Sequence, residues 1–82
     1  MSRLTLLVTQ DCHLCEKARH AIGRVADRAA VDWEQIDIAD DQELAREYGD
    51  RLPVVLLDGA EHGYWEVEER RLLRDLGIES GT

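Results

Sequence analysis

Two cysteines, Cys12 and Cys15, are the residues of this 82-residue chain best suited to chemistry. They follow an apolar run, Leu4 to Val8, that predicts a buried β-strand, and they precede a segment with helical spacing. At a helix start, unpaired N–H groups and the helix dipole stabilise a thiolate, which is the reactive form of cysteine. Cys15 lies one turn further along the same helix face. The spacing therefore predicts a redox pair in which Cys12 is the nucleophile and Cys15 resolves the mixed disulfide.

Two alternatives for the cysteines stay open at this point. In the first, the cysteines are small buried hydrophobic residues, but the polar turn Thr9-Gln10-Asp11 before Cys12 argues against this. In the second, they are metal ligands. A structural zinc site normally has four ligands, and the sequence places only the cysteines and His13 close together. A dimer that shares four thiolates is one form of this alternative. The alternative function is therefore a non-catalytic module that uses the cysteines for metal binding or redox sensing, although we expect no metal.

The first helix is expected to begin close to Cys12 and to end near Ala29. Its apolar positions are spaced by three or four residues and so share one face; they are Leu14, Ala18, Ile22, Val25 and Ala29. Gly23 within this helix is unfavourable by up to about 1 kcal/mol, and we expect it to permit close packing.

A second strand and a short helix are expected next. Val31 to Ile38 reads as a strand whose alternation changes phase, as at a sheet edge or a bulge. Asp40 is the expected N-cap of the short helix and Gly49 its C-terminal stop.

The rest of the chain predicts a hairpin and a last helix. Its expected elements are a strand Leu52–Leu57 opened by Pro53, a turn at Asp58-Gly59, a strand Glu61–Trp65 and a helix Glu66–Leu76, with Gly77 after the helix and Ile78 packed on Leu73. The element order β-α-β-α-β-β-α predicts an α/β fold with a four-stranded mixed sheet and helices packed on it.

This arrangement resembles a glutaredoxin, and most closely the short, minimal glutaredoxin-like domains of the thioredoxin superfamily. The resemblance extends from Arg3 to Leu76 and depends on three motifs: Cys12-His13-Leu14-Cys15, Arg51-Leu52-Pro53 and Asp58-Gly59. It implies a thioredoxin-like fold, a single glutaredoxin-like domain over residues 1–82, and a thiol–disulfide oxidoreductase that serves electron transport. It also implies that Pro53 is cis and faces the dithiol, and that the main chain of Leu52 binds an extended thiol substrate.

Three more residues are candidates for substrate binding: His13, Arg51 and Gly63. His13 either supplies charge or a proton to the thiols or is simply exposed. Arg51 either pairs with a substrate carboxylate or the Cys12 thiolate, or bonds Asp50 or Glu47. The glutathione-binding Gly-Gly-x-Asp segment of glutaredoxins appears here as Gly63-Tyr64-Trp65-Glu66.

Two tryptophans and two histidines also have expected positions. Trp65 either packs under the hairpin or lines a groove, and Trp33 covers the core. His20 and His62 are expected on the solvated surface.

The charge balance limits the partners. Ten basic and 18 acidic residues give a net charge of −8, which disfavours nucleic acid and anionic membranes. No apolar stretch reaches the roughly 20 residues of a membrane span. We therefore expect a cytoplasmic monomer that acts on a disulfide of a protein or of glutathione, with a reductase or thiol donor as its electron source. No cofactor is expected, with glutathione as an alternative thiol co-substrate.

Overall fold

The computed structural model of the chain describes residues 3–10 and 12–77. Its elements are β1 (Leu4–Val8), α1 (His13–Ala29), β2 (Trp33–Asp37), a 3₁₀ turn (Ile38–Asp40), α2 (Gln42–Tyr48), β3 (Val54–Leu57), β4 (Ala60–Tyr64) and α3 (Glu69–Asp75). The predicted element order and the α/β class are confirmed, with the 3₁₀ turn as an addition. No helix among these residues has the length and apolar character needed to cross a membrane.

The sheet has the strand order β2-β1-β3-β4. β1 runs parallel to β2 and antiparallel to β3, and the β3–β4 hairpin supplies the other edge. All five residues of β1 are buried, as its unbroken apolar run predicts for a central strand. β2 is an edge strand, which confirms the edge interpretation of its irregular pattern. It begins at Trp33, two residues later than expected, and it ends at Asp37 because Ile38 already belongs to the 3₁₀ turn.

Side chains of β1 alternate between two cores, one on each face of the sheet. On one face, Leu4, Leu6 and Val8 pack with residues of α1 and α3. On the other face, Leu7 packs with Ile38, and α2 covers this smaller cluster. The fold therefore has three layers, with α1 and α3 on one side of the sheet and α2 on the other.

Helix α1 has the predicted bounds but not entirely the predicted face. Cys12 is its N-cap, and its buried positions are Cys15, Ala18, Ala21, Ile22, Val25 and Ala26. Leu14 was expected on this face and is 47 % exposed instead, because the neighbouring Cys15 turns into the core. The expectation for Gly23 is also wrong, since a Cβ there would have no neighbour within 4 Å.

The ends of α2 differ from the prediction. The N-cap is Asp41, one residue later than expected, and its carboxylate accepts bonds from the N–H groups of Glu43 and Leu44. Asp40 closes the 3₁₀ turn instead. Gly49 does end the helix, but with a right-handed φ of −62°. Glycine is favoured there because a Cβ would collide with the Ala45 carbonyl oxygen.

Helix α3 begins at Glu69, three residues later than predicted. The delay starts at Trp65, whose φ of 69° turns the chain away from a helical path. Gly77 follows the helix with φ 88°, in the left-handed conformation expected after a helix end. The predicted contact of Ile78 lies outside the described residues.

The β3–β4 hairpin turns at Asp58-Gly59 as predicted, with φ values of 52° and 86°. β3 begins at Val54, after Pro53, and β4 begins and ends one residue earlier than expected. In the register, Val55 lies opposite Gly63 and Leu56 opposite Glu61. His62 is therefore the extra residue of a β-bulge.

Candidate active site

The cysteine pair lies at one end of the sheet, which we call the dithiol end. β1 enters this end at Val8 and leads through a short turn to Cys12. Leu7 pairs with Val54 in antiparallel register, so Pro53 enters β3 at the same end. β4 leaves the sheet here too, because Tyr64 lies opposite Val54. The topology therefore brings three segments together: the cysteine motif, Leu52-Pro53 and Tyr64-Trp65.

The two cysteines form a disulfide pair with their Cα atoms 5.2 Å apart, a separation that a disulfide spans readily. The Cys12 sulfur also caps α1, accepting a bond from the Cys15 N–H at 3.1 Å. Cys15 is fully buried, whereas Cys12 is half-buried and packs at the edge of the larger core. Cys12 is therefore the sulfur that a substrate can reach, and its position favours the thiolate.

Leu52 and Pro53 lie at the dithiol end of the sheet, because Val54 pairs with Leu7. The Leu52–Pro53 peptide bond is cis, and Pro53 is buried. The Pro53 carbonyl accepts a bond from the Trp65 N–H at 2.8 Å, which ties the end of β4 to the start of β3. Within residues 3–10 and 12–77, nothing hydrogen-bonds the N–H or the carbonyl of Leu52. Those two groups are free to pair with an extended chain.

His13 and Gly63 occupy different parts of this end. His13 is the exposed first residue of α1, and its side chain forms no hydrogen bond or ion pair within the described ranges. Gly63 lies within β4, and a Cβ there would touch the Arg71 guanidinium at 3.5 Å. The substrate-binding roles of both residues remain predictions.

Arg51 is bound by neighbouring carboxylates. Its guanidinium makes two bonds to Glu61, at 3.2 and 3.0 Å, and one bond to Asp50 at 3.0 Å. It also stacks over the Tyr48 ring, 5.2 Å from the centroid. The bond with Glu61 raises the pKa of Arg51 further above its usual value. Its observed partners are local, with Asp50 as expected and Glu61 in place of Glu47, and its role in substrate binding remains a prediction.

Trp65 is solvent-exposed and does not pack under the hairpin. Its side chain is 55 % exposed, and the Tyr64 ring packs edge-on against it with centroids 5.0 Å apart. Together with Leu14 it borders a groove of about 500 Å³ between α1 and the segment Trp65–Glu69. The groove-lining interpretation of Trp65 is therefore the one that the structure supports. Trp33 is half-buried against the larger core, as expected, and His20 is exposed.

A polar cluster surrounds His62, and it was not predicted from the sequence. The His62 side chain is only 9 % exposed, so its expected place on the solvated surface is wrong. Its Nε2 lies 2.8 Å from an Asp75 carboxylate oxygen, and Arg71 donates to the His62 carbonyl. The bulge turns this residue toward α3, and no local pattern signals a bulge.

No group of three or more metal-ligating side chains is assembled in the part of the chain that the structure describes. The two cysteines therefore have no third ligand beside them among these residues.

The chain order, the mixed sheet and the cysteine pair at a helix start define a thioredoxin-like fold. A mutant thioredoxin from Halobacterium salinarum superimposes with a TM-score of 0.68 over 99 % of this chain and 76 % of its own, at 21 % identity. That likeness concerns the fold alone.

Comparisons at higher sequence identity show the family as well as the fold. Residues 3–77 match the model of the glutaredoxin-like domain (DUF836), and the chain belongs to this family. A structural-genomics target from X. campestris is similar at 32 % identity and TM-score 0.71, over 90 % of this chain and 95 % of its own. An uncharacterized protein of Mycobacterium tuberculosis is 40 % identical over 83 residues, covering 93 % of this chain and 86 % of the relative. The fold and the adjacent cysteines point to a redox role.

Proposed function

We propose that the protein is a thiol–disulfide oxidoreductase that reduces a disulfide of a protein or small molecule. The observation that carries this proposal is the unequal burial of two adjacent sulfurs: a reachable Cys12 at a helix N-terminus, and Cys15 in the core. Such a pair suits a nucleophile that substrate contacts and a resolving thiol that it does not.

In the first step, the Cys12 thiolate attacks one sulfur of the substrate disulfide. A Cys12–substrate S–S bond forms, the substrate S–S bond breaks, and the other substrate sulfur leaves as a thiolate that takes a proton from water. The Cys15 N–H, 3.1 Å from the Cys12 sulfur, favours the attacking thiolate. The exposed His13 is placed to add positive charge nearby when protonated.

In the second step, the Cys15 thiolate attacks the Cys12 sulfur of the mixed disulfide. The Cys12–Cys15 bond forms, the Cys12–substrate bond breaks, and the second substrate sulfur leaves as a thiolate. Two electrons have then passed from the protein dithiol to the substrate. An external thiol or dithiol donor, or a reductase, returns the pair to the reduced form, as the thiol-rich cytoplasm permits. The chemistry requires no metal or organic cofactor, and glutathione is an alternative thiol co-substrate.

The unpaired main-chain groups of Leu52 give the substrate a place to bind. An extended segment can pair with the Leu52 N–H and carbonyl and so hold its cysteine at Cys12, since both lie at the dithiol end.

The test replaces each cysteine by serine. Cys12→Ser removes the nucleophile, and we expect turnover of a dithiothreitol-coupled disulfide assay to fall by at least about 1,000-fold. Cys15→Ser removes the resolving thiol, and we expect a substrate mixed disulfide on Cys12 that mass spectrometry identifies.

His20→Gln, an exposed change further along α1, serves as the control and should leave the turnover rate intact. A reduced wild-type protein that exchanges with no small or protein disulfide would contradict the proposal. Stoichiometric zinc in the anaerobically purified protein, together with no exchange, would support the metal-binding alternative instead.

A further inference from the structure

Exposed apolar area is concentrated at the dithiol end. Across the described ranges, the large hydrophobic side chains that remain exposed are Leu14, Tyr64 and Trp65, at 47, 47 and 55 %. Leu14 lies between the two cysteines, Tyr64 is the last residue of β4, and Trp65 follows it. Scattered exposed hydrophobic residues need no explanation, but a patch that gathers all of them beside a reactive sulfur indicates a binding surface.

The backbone of Trp65 is unfavourable for the residue that it carries. Its φ of 69° lies in the left-handed region, which is unfavourable for a bulky residue. The exposed indole recovers little of this cost by burial in the free protein. The main-chain N–H of Trp65 donates to the Pro53 carbonyl, which holds this backbone conformation, and the Tyr64 ring packs edge-on against the indole. The large side chain is therefore best explained by what it contacts in a complex.

The groove beside Trp65 has the size and lining of a side-chain pocket. Its volume of about 500 Å³ lies between α1 and the segment that follows β4. The apolar lining comes from Leu14, Ala18, Ala21, Trp65 and Val67. Grooves of this kind hold one or two aliphatic or aromatic side chains.

The charges around the groove select against an acidic ligand. The Arg24 guanidinium on its rim is held by Glu69 through two bonds, at 3.2 and 3.0 Å. Glu66 adds a negative charge to the lining, and only Lys17 adds a positive charge without an ion pair in the described structure. Glutathione, with its two carboxylates, gains little electrostatic binding energy here, whereas a neutral apolar side chain meets no electrostatic repulsion.

We propose that this groove binds an aliphatic or aromatic side chain of an extended polypeptide whose disulfide-bonded cysteine lies at Cys12. Trp65 is the residue that sets this specificity, with Leu14 as the opposite wall. The preferred substrate class is then a protein disulfide with an apolar neighbour, and glutathione disulfide is a poor substrate. This inference rests on the proposed oxidoreductase function.

The experiment compares three mixed disulfides of 2-nitro-5-thiobenzoate with the fully reduced protein under single-turnover conditions. The partners are a peptide with leucines flanking its cysteine, the same peptide with serines, and glutathione. We expect the wild-type rate constant to be about 10-fold or more higher for the leucine peptide than for either other substrate. Trp65→Gly, which suits the positive φ, should reduce this preference to about 3-fold or less, and Trp65→Phe should retain most of it.

Leu14→Ser provides an independent variant on the opposite wall and should also lower the preference. Arg28→Ala, at the far end of α1, is the matched control and should keep it; circular dichroism verifies that every variant is folded. Equal wild-type rates for all three substrates, or a faster reaction with the glutathione adduct, would overturn the specificity and leave the oxidoreductase function standing. A wild-type protein that reacts with none of the three would overturn both.

Discussion

The sheet has a second end, where β3 turns into β4, and it differs from the dithiol end in the residues that adopt positive φ. At this hairpin end they are Ala30, Asp58 and Gly59, with φ of 55°, 52° and 86°. Alanine, aspartate and glycine have the smallest or most tolerant side chains for that conformation. At the dithiol end the same conformation belongs to Trp65, with the largest side chain of all.

Main-chain hydrogen bonding differs in the same direction. At the hairpin end, the Arg3 N–H donates to the Asp58 carboxylate at 2.8 Å, and the Asp58 N–H donates to the Arg3 carbonyl at 2.9 Å. At the dithiol end, both main-chain groups of Leu52 lack a partner within the described chain. One end is closed by its own residues, and the other presents open groups and an exposed aromatic ring. The difference suggests that the hairpin end contributes stability and the dithiol end recognition.

The strongest test of this division places a large side chain at the hairpin turn. Gly59→Val puts a β-branched residue at φ 86°, where its Cβ would have no neighbour within 4 Å, so the effect comes from the backbone alone. We expect the free energy of unfolding to fall by about 1–3 kcal/mol, because branched residues disfavour this conformation. Urea denaturation measures the loss, and disulfide exchange per folded molecule should stay at the wild-type rate.

Gly59→Asn is the matched control, since asparagine tolerates positive φ, and it should lose less stability than valine. Normal stability of Gly59→Val, or a loss of exchange in its folded fraction, would mean that the two ends are not separate in this way.

Much of the fold could be predicted because its signals are local. The unbroken apolar run marks β1 as central, the spacing of Ile22 and Val25 marks α1, and Asp58-Gly59 is the residue pair that a tight hairpin turn needs. The cysteine motif at the start of α1 could be predicted for the same reason.

The remaining features depend on contacts between distant residues. Periodicity places Leu14 and Cys15 near the same face of α1, and only packing on the sheet decides that Cys15 is buried. The pairing of Arg51 with Glu61 spans ten residues and depends on the fold that brings them together. The positive φ of Trp65 has no sequence signal, because a tryptophan at that position argues against it.

A smaller effect on stability is expected from two substitutions between glycine and alanine, one within α1 and one directly after it. Gly23 lies inside the helix with open space around its Cβ position, so Gly23→Ala should stabilise the protein by about 0.5–1 kcal/mol. Ala30 follows the helix at φ 55°, and the opposite change, Ala30→Gly, should also stabilise it, by up to about 1 kcal/mol. Thermal unfolding measures both variants.

Each substitution is a control for the other. A general preference for alanine over glycine would change stability in opposite directions in the two variants, whereas the local backbone conformation predicts a gain in both. A loss of stability in either variant would show that backbone conformation does not govern this end of α1. Neither residue lies at the dithiol end, so the disulfide-exchange rate should match that of the wild type.

The smallest expected effect concerns pH and the His62 cluster, which joins β4 to α3 between the two ends. The hydrogen bond from His62 lowers the pKa of Asp75 below its ordinary 3.8. A carboxylate with a lowered folded-state pKa contributes stability above its unfolded pKa, and this contribution is lost as the pH falls through the folded value. Asp75→Asn should therefore be less stable than the wild type at neutral pH. The difference between them should shrink as the pH falls from about 5 to about 2.

Urea denaturation across that pH range measures the difference, with Asp27→Asn as the control because the exposed Asp27 forms no ion pair among the described residues. We expect the control to follow the wild-type profile. If the stability difference between Asp75→Asn and the wild type stays constant with pH, the charge of Asp75 does not stabilise α3. The bulge at His62 would then shape β4 without holding the helix beside it. If the Asp75 charge does stabilise α3, protonation of Asp75 weakens the packing of this helix. The Trp65 segment that precedes α3 is then expected to open at a higher pH than the hairpin end does.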